Sequence, residues 1–177
     1  MIMDGKSLQE EGMKLYRAGR YEEAASKFGE AQQMFSAADD RHAAAEAANN
    51  RGVCWRQAAH WTEAAAAFDE ARAMFQALSD ESGEGQVAGN MAALAESQND
   101  QDRAAELYQA AIDLFEKAGA KDLAKDTYTA LSRLRLKQRN ILGAVSALDA
   151  GLEQLDKPNL MERVARKILK GPGKIAG

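Results

Sequence analysis

The chain has 177 residues, of which 46% are hydrophobic and only two are proline, and its net charge is −4. A chain of this length is predicted to form one domain or one short repeat array, and its alanine-rich composition favours helix. The mild charge does not indicate a nucleic-acid-binding protein, a single cysteine excludes an intrachain disulfide, and no apolar run approaches the about 20 residues that a membrane-spanning helix needs.

Hydrophobic periodicity predicts an all-α protein. Between Ala24 and Phe35, small and large apolar residues recur at spacings of four, three and four, which places them on one face of a helix. The same pattern predicts eight helices, at residues 4–18, 21–37, 41–58, 61–78, 82–98, 101–118, 121–138 and 141–155. A ninth helix is predicted at about 159–170, followed by a loose end at 171–177.

Four columns of residues recur at 40-residue steps without a gap. Two columns hold small residues, which allow close helix contacts, and two hold large apolar residues, which fill the space between helices. This repetition predicts four helical hairpins that stack on one another. The columns are Ala24, Ala64, Ala104 and Ala144; Phe28, Phe68, Tyr108 and Leu148; Ala31, Ala71, Ala111 and Gly151; and Phe35, Phe75, Phe115 and Leu155.

The short segments between the helices carry turn and cap signals. Gly19 and Asn99 tolerate a left-handed conformation. Ala59 and Arg139 tolerate it less well, so we expect turns of two kinds. The predicted N-terminal signals are a capping box at residues 7–10 and N-caps at Asp39, Ser79 and Asn159, with Gly119 at the fourth equivalent position.

The segment GMKLYRAGRYEEA, residues 12–24, resembles the first helix and turn of a tetratricopeptide repeat (TPR). Gly52, Trp55 and Trp61 continue the pattern in the second unit, and it weakens in the third and fourth units. The 40-residue period resembles the subclass found in LGN-type and kinesin-light-chain-type scaffolds.

The resemblance implies a right-handed α-α superhelix of about four hairpins, whose first helices line a concave groove for partner segments. We expect the four repeats within residues 1–157, at about 4–40, 41–80, 81–120 and 121–157, then a capping helix at 158–170 and a flexible basic tail at 171–177.

Nothing in the sequence indicates catalysis, a metal site or a cofactor. The two histidines, His42 and His60, have no metal-ligand spacing, and no phosphate-binding glycine motif is present. Cys54 lies on a first helix without a neighbouring activating group, which is typical of a buried structural thiol. The chain is therefore predicted to be a non-enzymatic protein, and the lack of a signal-peptide pattern at its start favours the cytoplasm.

Two asparagines form the clearest polar pattern. Asn50 and Asn90 lie 40 residues apart on first helices, and their amides suit the backbone of an extended peptide. Arg133 and Lys137 share one face of the fourth unit, which favours an acidic segment or a terminal carboxylate. The predicted partner-binding residues are Glu10, Met13, Arg17, Asn50, Val53, Gln57, Asn90, Ala93, Ser97, Arg133 and Lys137.

The leading hypothesis is thus a scaffold that binds an extended, partly acidic segment of a protein or peptide partner. A second hypothesis is an adaptor at a membrane surface, resembling SNAP-type helical-hairpin proteins. It would use residues 160–177, which carry five basic residues against one acidic residue, a net charge of +4. A third hypothesis is a structural homo-oligomer, formed by end-to-end stacking of repeats. Binding of nucleic acid is not expected.

Overall fold

A computed structural model of the chain describes residues 4–155, together with Glu162, Arg163, Ala165 and Leu169. Residues 4–155 form eight helices and no strand, as the sequence predicted. The helices are α1 (Gly5–Arg17), α2 (Tyr21–Ala37), α3 (Arg41–Gln57), α4 (Trp61–Ala77), α5 (Glu81–Ser97), α6 (Gln101–Lys117), α7 (Lys121–Lys137) and α8 (Ile141–Glu153).

The helices pack as four consecutive hairpins. Each helix contacts the next one along the chain, and α3 also contacts α5. We call α1, α3, α5 and α7 the first helices, because each opens a hairpin, and the others the second helices. This arrangement makes two rows, and the apolar core lies between them.

The repeated columns occupy that core. The four alanines that begin with Ala24 are at most 2% exposed, so the predicted register of the hairpins is confirmed. The large columns are equally buried in the first three hairpins, but Leu148 and Leu155 of the last hairpin are only half-buried. The array therefore packs less completely at its C-terminal end.

Glycines on the first helices let these aromatic rings approach the backbone. A Cβ atom built on Gly52 would lie 2.6 Å from the Phe68 ring, and one on Gly85 would lie 2.8 Å from the Phe115 ring. Both separations are shorter than van der Waals contact, so a side chain larger than hydrogen would have to displace the ring.

All seven turns between the described helices have one geometry, so the prediction of two kinds of turn is wrong. Each turn contains one residue with φ between 53° and 75°, including Ala59 at 61° and Arg139 at 58°. A backbone bond from the next residue, directly before the following helix, closes the turn: the Asp40 N–H donates to the Phe35 carbonyl at 2.9 Å. Such closure satisfies helix-end carbonyls, and it outweighs the local preference of alanine and arginine.

The predicted N-caps lie one residue too early. Asp39 and Ser79 are the left-handed turn residues. The caps are their neighbours Asp40 and Asp80, whose carboxylates accept from the N–H groups of Ala43 and Gly83. Asp100 and Asn140 cap α6 and α8 in the same way, and Gly119 is again a left-handed turn residue.

The capping box at residues 7–10 is also wrong. Asp4 is the N-cap of α1, and its carboxylate accepts from the Ser7 N–H at 2.8 Å. Ser7 therefore lies inside the first turn of the helix, and no capping role is left for its hydroxyl. The acidic residue wins because it adds a favourable charge at the helix N-terminus.

The last hairpin differs from the others in length. α8 has 13 residues, whereas α2, α4 and α6 each have 17. The predicted ninth helix, the Asn159 cap and the basic tail lie almost entirely outside the described residues. Of that segment, Glu162 is helical, and its carboxylate accepts from the Lys125 ammonium of α7 at 3.0 Å. The described part of the last hairpin also exposes five large apolar side chains: Leu123, Leu136, Ile141, Leu142 and Val145.

Candidate partner-binding site along the first helices

The eleven residues predicted to bind a partner all lie on the first helices, and none of them is buried. Six are exposed and five are half-buried. The exposed ones are Glu10, Arg17, Gln57, Ser97, Arg133 and Lys137, and the half-buried ones are Met13, Asn50, Val53, Asn90 and Ala93. The structure therefore brings them onto one row of helices at positions that a partner can reach.

Three of these residues are hydrogen-bonded to the preceding first helix. The Gln57 amide donates to the Tyr16 hydroxyl at 3.2 Å, the Asn90 amide to the Asn49 amide oxygen at 2.9 Å, and the Lys137 ammonium to Glu96 at 2.8 Å. Each pair is separated by 41 residues in the sequence. We call these three contacts the polar seam, because together they join all four first helices.

The structure adds a third asparagine to the predicted pattern. Asn90 bonds to Asn49, which is 9% exposed, and not to Asn50. The repeated columns run at 40-residue steps, whereas contacts between neighbouring first helices run at 41, so the columns do not reveal Asn49. Asn50 is half-buried beside this pair.

Glu96 is the second residue that the sequence search missed. Its carboxylate accepts from Lys137 and, at 2.8 Å, from the Tyr108 hydroxyl of α6. Burial opposes its ionisation, but these two hydrogen bonds and the nearby charge of Arg133 outweigh burial and lower the pKa of Glu96. Burial and the bond to Glu96 in turn raise the pKa of Tyr108. Only its partners identify Glu96, since the residue is one of many carboxylates in the sequence.

An open cleft of about 320 Å³ separates α5 from α7. Its floor contains the rings of Tyr108 and Phe115, which are 7% and 3% exposed. Its walls include Gly89 of α5 and Leu123 of α7, and the exposed Asp126 of α7 contributes a carboxylate. Asn90 and Ala130, at the asparagine positions of the 40-residue pattern, line the same cleft.

The family model described as soluble NSF attachment protein, SNAP, matches residues 4–169. The chain belongs to the SNAP family. No curated protein matches this SNAP-family chain.

A solved structure supports the fold. The chain is similar to the crystal structure of BtubC (BKLC) from P. vanneervenii, with a TM-score of 0.71 and 20% sequence identity. The alignment covers 88% of this chain and spans 66% of the length of that structure. At this identity the likeness concerns the fold alone, and it confirms an all-α TPR-like superhelical repeat. The resemblance to LGN-type scaffolds remains a prediction.

The SNAP-family chain has a second, larger cleft at the turn end of its last two hairpins, with a volume of about 920 Å³. Some of its polar groups are engaged within the chain. The Asp100 carboxylate caps α6, and the Gln138 amide donates to the Gln101 carbonyl at 3.4 Å. Because these groups are already engaged, this cleft offers a partner fewer polar contacts than its size suggests.

The single cysteine and the two histidines of the SNAP-family chain lie in surroundings that do not activate them for chemistry. Cys54 is fully buried, and burial raises the pKa of its thiol to about 12, so the thiolate nucleophile is disfavoured. His42 and His60 lie at the helix starts and contact Asp80 at 3.1 Å and Glu22 at 3.0 Å. Among the described residues, no group of three potential ligands could hold a metal ion. In the same part of the chain, every helix is too short or too polar to cross a membrane.

Proposed function

We propose that this SNAP-family chain is a non-enzymatic adaptor that binds an extended segment of a partner protein along its first helices. The observation that carries the proposal is the row of unburied, mostly polar side chains on four helices that the polar seam holds together. A rigid row of this kind presents hydrogen-bonding groups without a large ordering cost on binding. The family is described as an attachment protein, which fits a binding role.

The chemistry of the row changes along the array. Asn50 offers an amide group that suits a peptide backbone, and the Gln57 amide keeps its oxygen and one N–H beside its bond to Tyr16. Arg133 is exposed near the C-terminal end, where a guanidinium can bind a carboxylate through two parallel bonds. The Lys137 ammonium already bonds to Glu96, so Arg133 supplies most of the proposed preference for an acidic segment or a terminal carboxylate at this end.

Selection from a library of random linear peptides tests the proposal. Peptides enriched on the wild-type chain are titrated against Asn50→Ala and Arg133→Glu by isothermal calorimetry. We expect Asn50→Ala to weaken binding by about 0.5–1.5 kcal/mol, the net value of one hydrogen bond. Arg133→Glu should weaken it more at low salt than at high salt, because salt screens exposed charges.

Gln109→Ala is the matched control, since Gln109 is an exposed amide on the second helix α6. Its variant should bind the selected peptides as the wild type does. Loss of affinity in Gln109→Ala with no loss in Asn50→Ala and Arg133→Glu would place binding on the opposite row and contradict the proposal.

A second candidate function is self-association, which the exposed end of the last hairpin favours. Ile141 and Leu142 are 65% and 85% exposed. At the equivalent place in the preceding hairpin, the amide of Gln138, the residue after α7, reaches Gln101 and Asp102. A second copy of this chain has helices of the same geometry that can pack on that surface.

Light scattering should then show a dimer that Leu142→Lys dissociates and that Met34→Lys, at another exposed apolar residue, leaves intact. A concentration-independent monomer would rule the dimer out.

A further inference from the structure

The cleft between α5 and α7 exists because the two neighbouring first-helix pairs are packed differently. Beside the junction of α3 and α5, Gly83 of α5 lies against the Phe75 ring of α4 so closely that a Cβ atom there would overlap the ring. The equivalent residues of the next unit are Leu123 of α7 and Phe115 of α6, and both line the cleft. A leucine cannot approach a ring as a glycine does, and α7 does not pack against α5 as α5 packs against α3, so the aromatic floor remains open.

The missing side chain of Gly89 widens the same cleft. No atom lies within 4 Å of the position that a Cβ on Gly89 would take. In the preceding hairpin the equivalent residue is Asn49, whose side chain bonds to Asn90 and bridges the two helices. From one junction to the next, a glycine becomes a leucine (Gly83 to Leu123) and an asparagine becomes a glycine (Asn49 to Gly89). Together these two differences leave a space that a side chain of a partner can enter.

The lining selects the kind of guest. The rings of Tyr108 and Phe115 and the half-exposed Leu123 give the cleft an apolar interior, and Asp126 with the amides of Gln86 and Asn90 gives it a polar rim. The nearest lysine on α7, Lys125, directs its ammonium to Glu162 at 3.0 Å, and Asp122 adds a second exposed carboxylate one turn before Asp126. The rim is therefore suited to a cation.

We propose that this cleft binds one lysine or arginine side chain of the extended partner segment. The aliphatic stem of such a residue covers apolar surface while its charged head stays near water, which matches an apolar interior below a carboxylate rim. The volume of about 320 Å³ lies at the small end of ligand pockets, where a single side chain rather than a larger group is accommodated. The inference rests on the proposed function, since it names the residue type that the groove reads at this position.

The cleft and the proposed acidic subsite are separate. Asp126 and Arg133 lie seven residues apart on α7, about 10 Å along a helix axis. A partner that binds both subsites would put a basic residue in the cleft and an acidic residue nearer the C-terminal end of α7. This order of charges is the distinguishing feature of the expected partner sequence.

Nuclear magnetic resonance of the full ¹⁵N-labelled chain tests the inference with defined probes. The probes are capped glycine–serine peptides that carry one central lysine, arginine, norleucine or glutamate. We expect the lysine and arginine peptides to shift the amide signals of Gly85, Gly89, Asn90 and Asp126. Their affinity should exceed that of the norleucine peptide by about two- to fivefold, the range of one exposed ion pair, with the glutamate peptide weakest.

Two variants locate the binding. Asp126→Asn should reduce the affinity of the lysine peptide to that of the norleucine peptide, whereas Asp69→Asn, at an exposed carboxylate of α4, should have no effect. Gly89→Leu should fill the cleft and abolish the shifts from every probe. The Gly89→Leu helix should stay folded, because leucine is a better helix former than glycine and its Cβ meets no neighbour. A thermal melt checks this.

Equal binding of the norleucine and lysine peptides, or an unchanged lysine affinity in Asp126→Asn, would overturn the inference. The peptides selected for the proposed function separate the two ideas. If Asn50→Ala and Arg133→Glu weaken those peptides while Gly89→Leu does not, the groove binds partners and the cleft is not used. If no peptide is selected but the lysine probe still shifts the cleft signals, the cleft binds cations and the proposed function is wrong.

Discussion

Two junctions between first helices, α3 with α5 and α5 with α7, are built from equivalent positions of the repeat. The first junction is closed and the second is open. At the closed junction the two helices touch, and the partly buried amide pair Asn49–Asn90 links them. At the open junction a cleft intervenes, and the link lies further along, in the ion pair between Lys137 and Glu96. A repeat array can thus keep one helical register while side chains at single positions decide whether its surface is continuous or indented.

The largest expected difference concerns the aromatic floor. Phe75 lies under the closed junction and Phe115 under the open one, and both are 3% exposed. Replacing Phe75 by alanine should cost about 3–5 kcal/mol in the free energy of unfolding, because a dry cavity remains. Phe115→Ala should cost less, since water can enter through the cleft. Urea denaturation of the two variants measures this, and a larger cost for Phe115→Ala would remove the distinction.

Exchanging the residues that separate the helices should have the next largest effect. Gly83→Leu forces a side chain into the Phe75 ring and should cost about 1–3 kcal/mol by overpacking. Leu123→Ala at the equivalent position should cost less, because Leu123 is already 38% exposed. Chemical denaturation compares the two. The reactivity of the single thiol, Cys54, gives a second readout, since it is buried in the hairpin next to the closed junction. Equal costs would show that helix separation does not depend on this position.

The stabilising effect of the ion pair between Lys137 and Glu96 should depend on pH, whereas that of the amide pair Asn49–Asn90 should not. The pKa of Glu96 is lowered in the folded chain. Its stabilising effect is therefore complete above the pKa of an unfolded glutamate, about 4.3, and is lost as pH falls through the folded value. Relative to Glu96→Gln, the wild type should be more stable by about 0.5–1 kcal/mol at neutral pH. The difference should vanish in acid.

Asn49→Ala serves as the comparison for that experiment. The amide pair carries no charge, so the cost of Asn49→Ala should be the same at both pH values. Unfolding curves at neutral and acidic pH measure both variants. A pH-independent difference between wild type and Glu96→Gln would mean that the ion pair does not stabilise the open junction.

The smallest expected effect is a gain. Gly89→Ala should stabilise the chain by about 0.5–1 kcal/mol, because alanine removes the entropic cost of glycine in a helix and its methyl group meets empty space. Gly29→Ala on α2 is the matched case, where the added carbon would only touch the Arg51 side chain at 3.7 Å. The melting temperatures of both variants should rise alike. A loss of stability in Gly89→Ala alone would show that, in solution, other atoms of the chain occupy the space beside Gly89.

Periodicity was sufficient to predict the fold. The alanine and aromatic columns lie in the core because burial depends on spacing along each helix, and spacing can be read directly from the residues. The turn residues are less predictable, because the chain holds Ala59 and Arg139 in the left-handed conformation. Tertiary packing there offsets the local backbone strain. Local preference alone therefore placed the caps at Asp39 and Ser79 instead of Asp40 and Asp80.

The candidate site was predicted only in outline. Its eleven residues lie on accessible first helices, but their pairing was not foreseen. Contacts between neighbouring helices depend on the offset of one helix against the next, and one residue of offset decides whether Asn49 or Asn50 faces Asn90. The cleft was missed for a related reason: Leu123 and Gly89 each look ordinary in the sequence, and their effect appears only when both face the same gap.

The uniform turns have a consequence for how such chains change in length. The helices from α2 to α8 begin at intervals of 20 residues, and every joint closes through the same backbone bonds. A duplicated or deleted 40-residue unit would meet its neighbours through joints that already exist, without any new turn having to be invented. The array can therefore grow or shrink by whole hairpins, and each added unit brings its own choice between a closed junction and an open one.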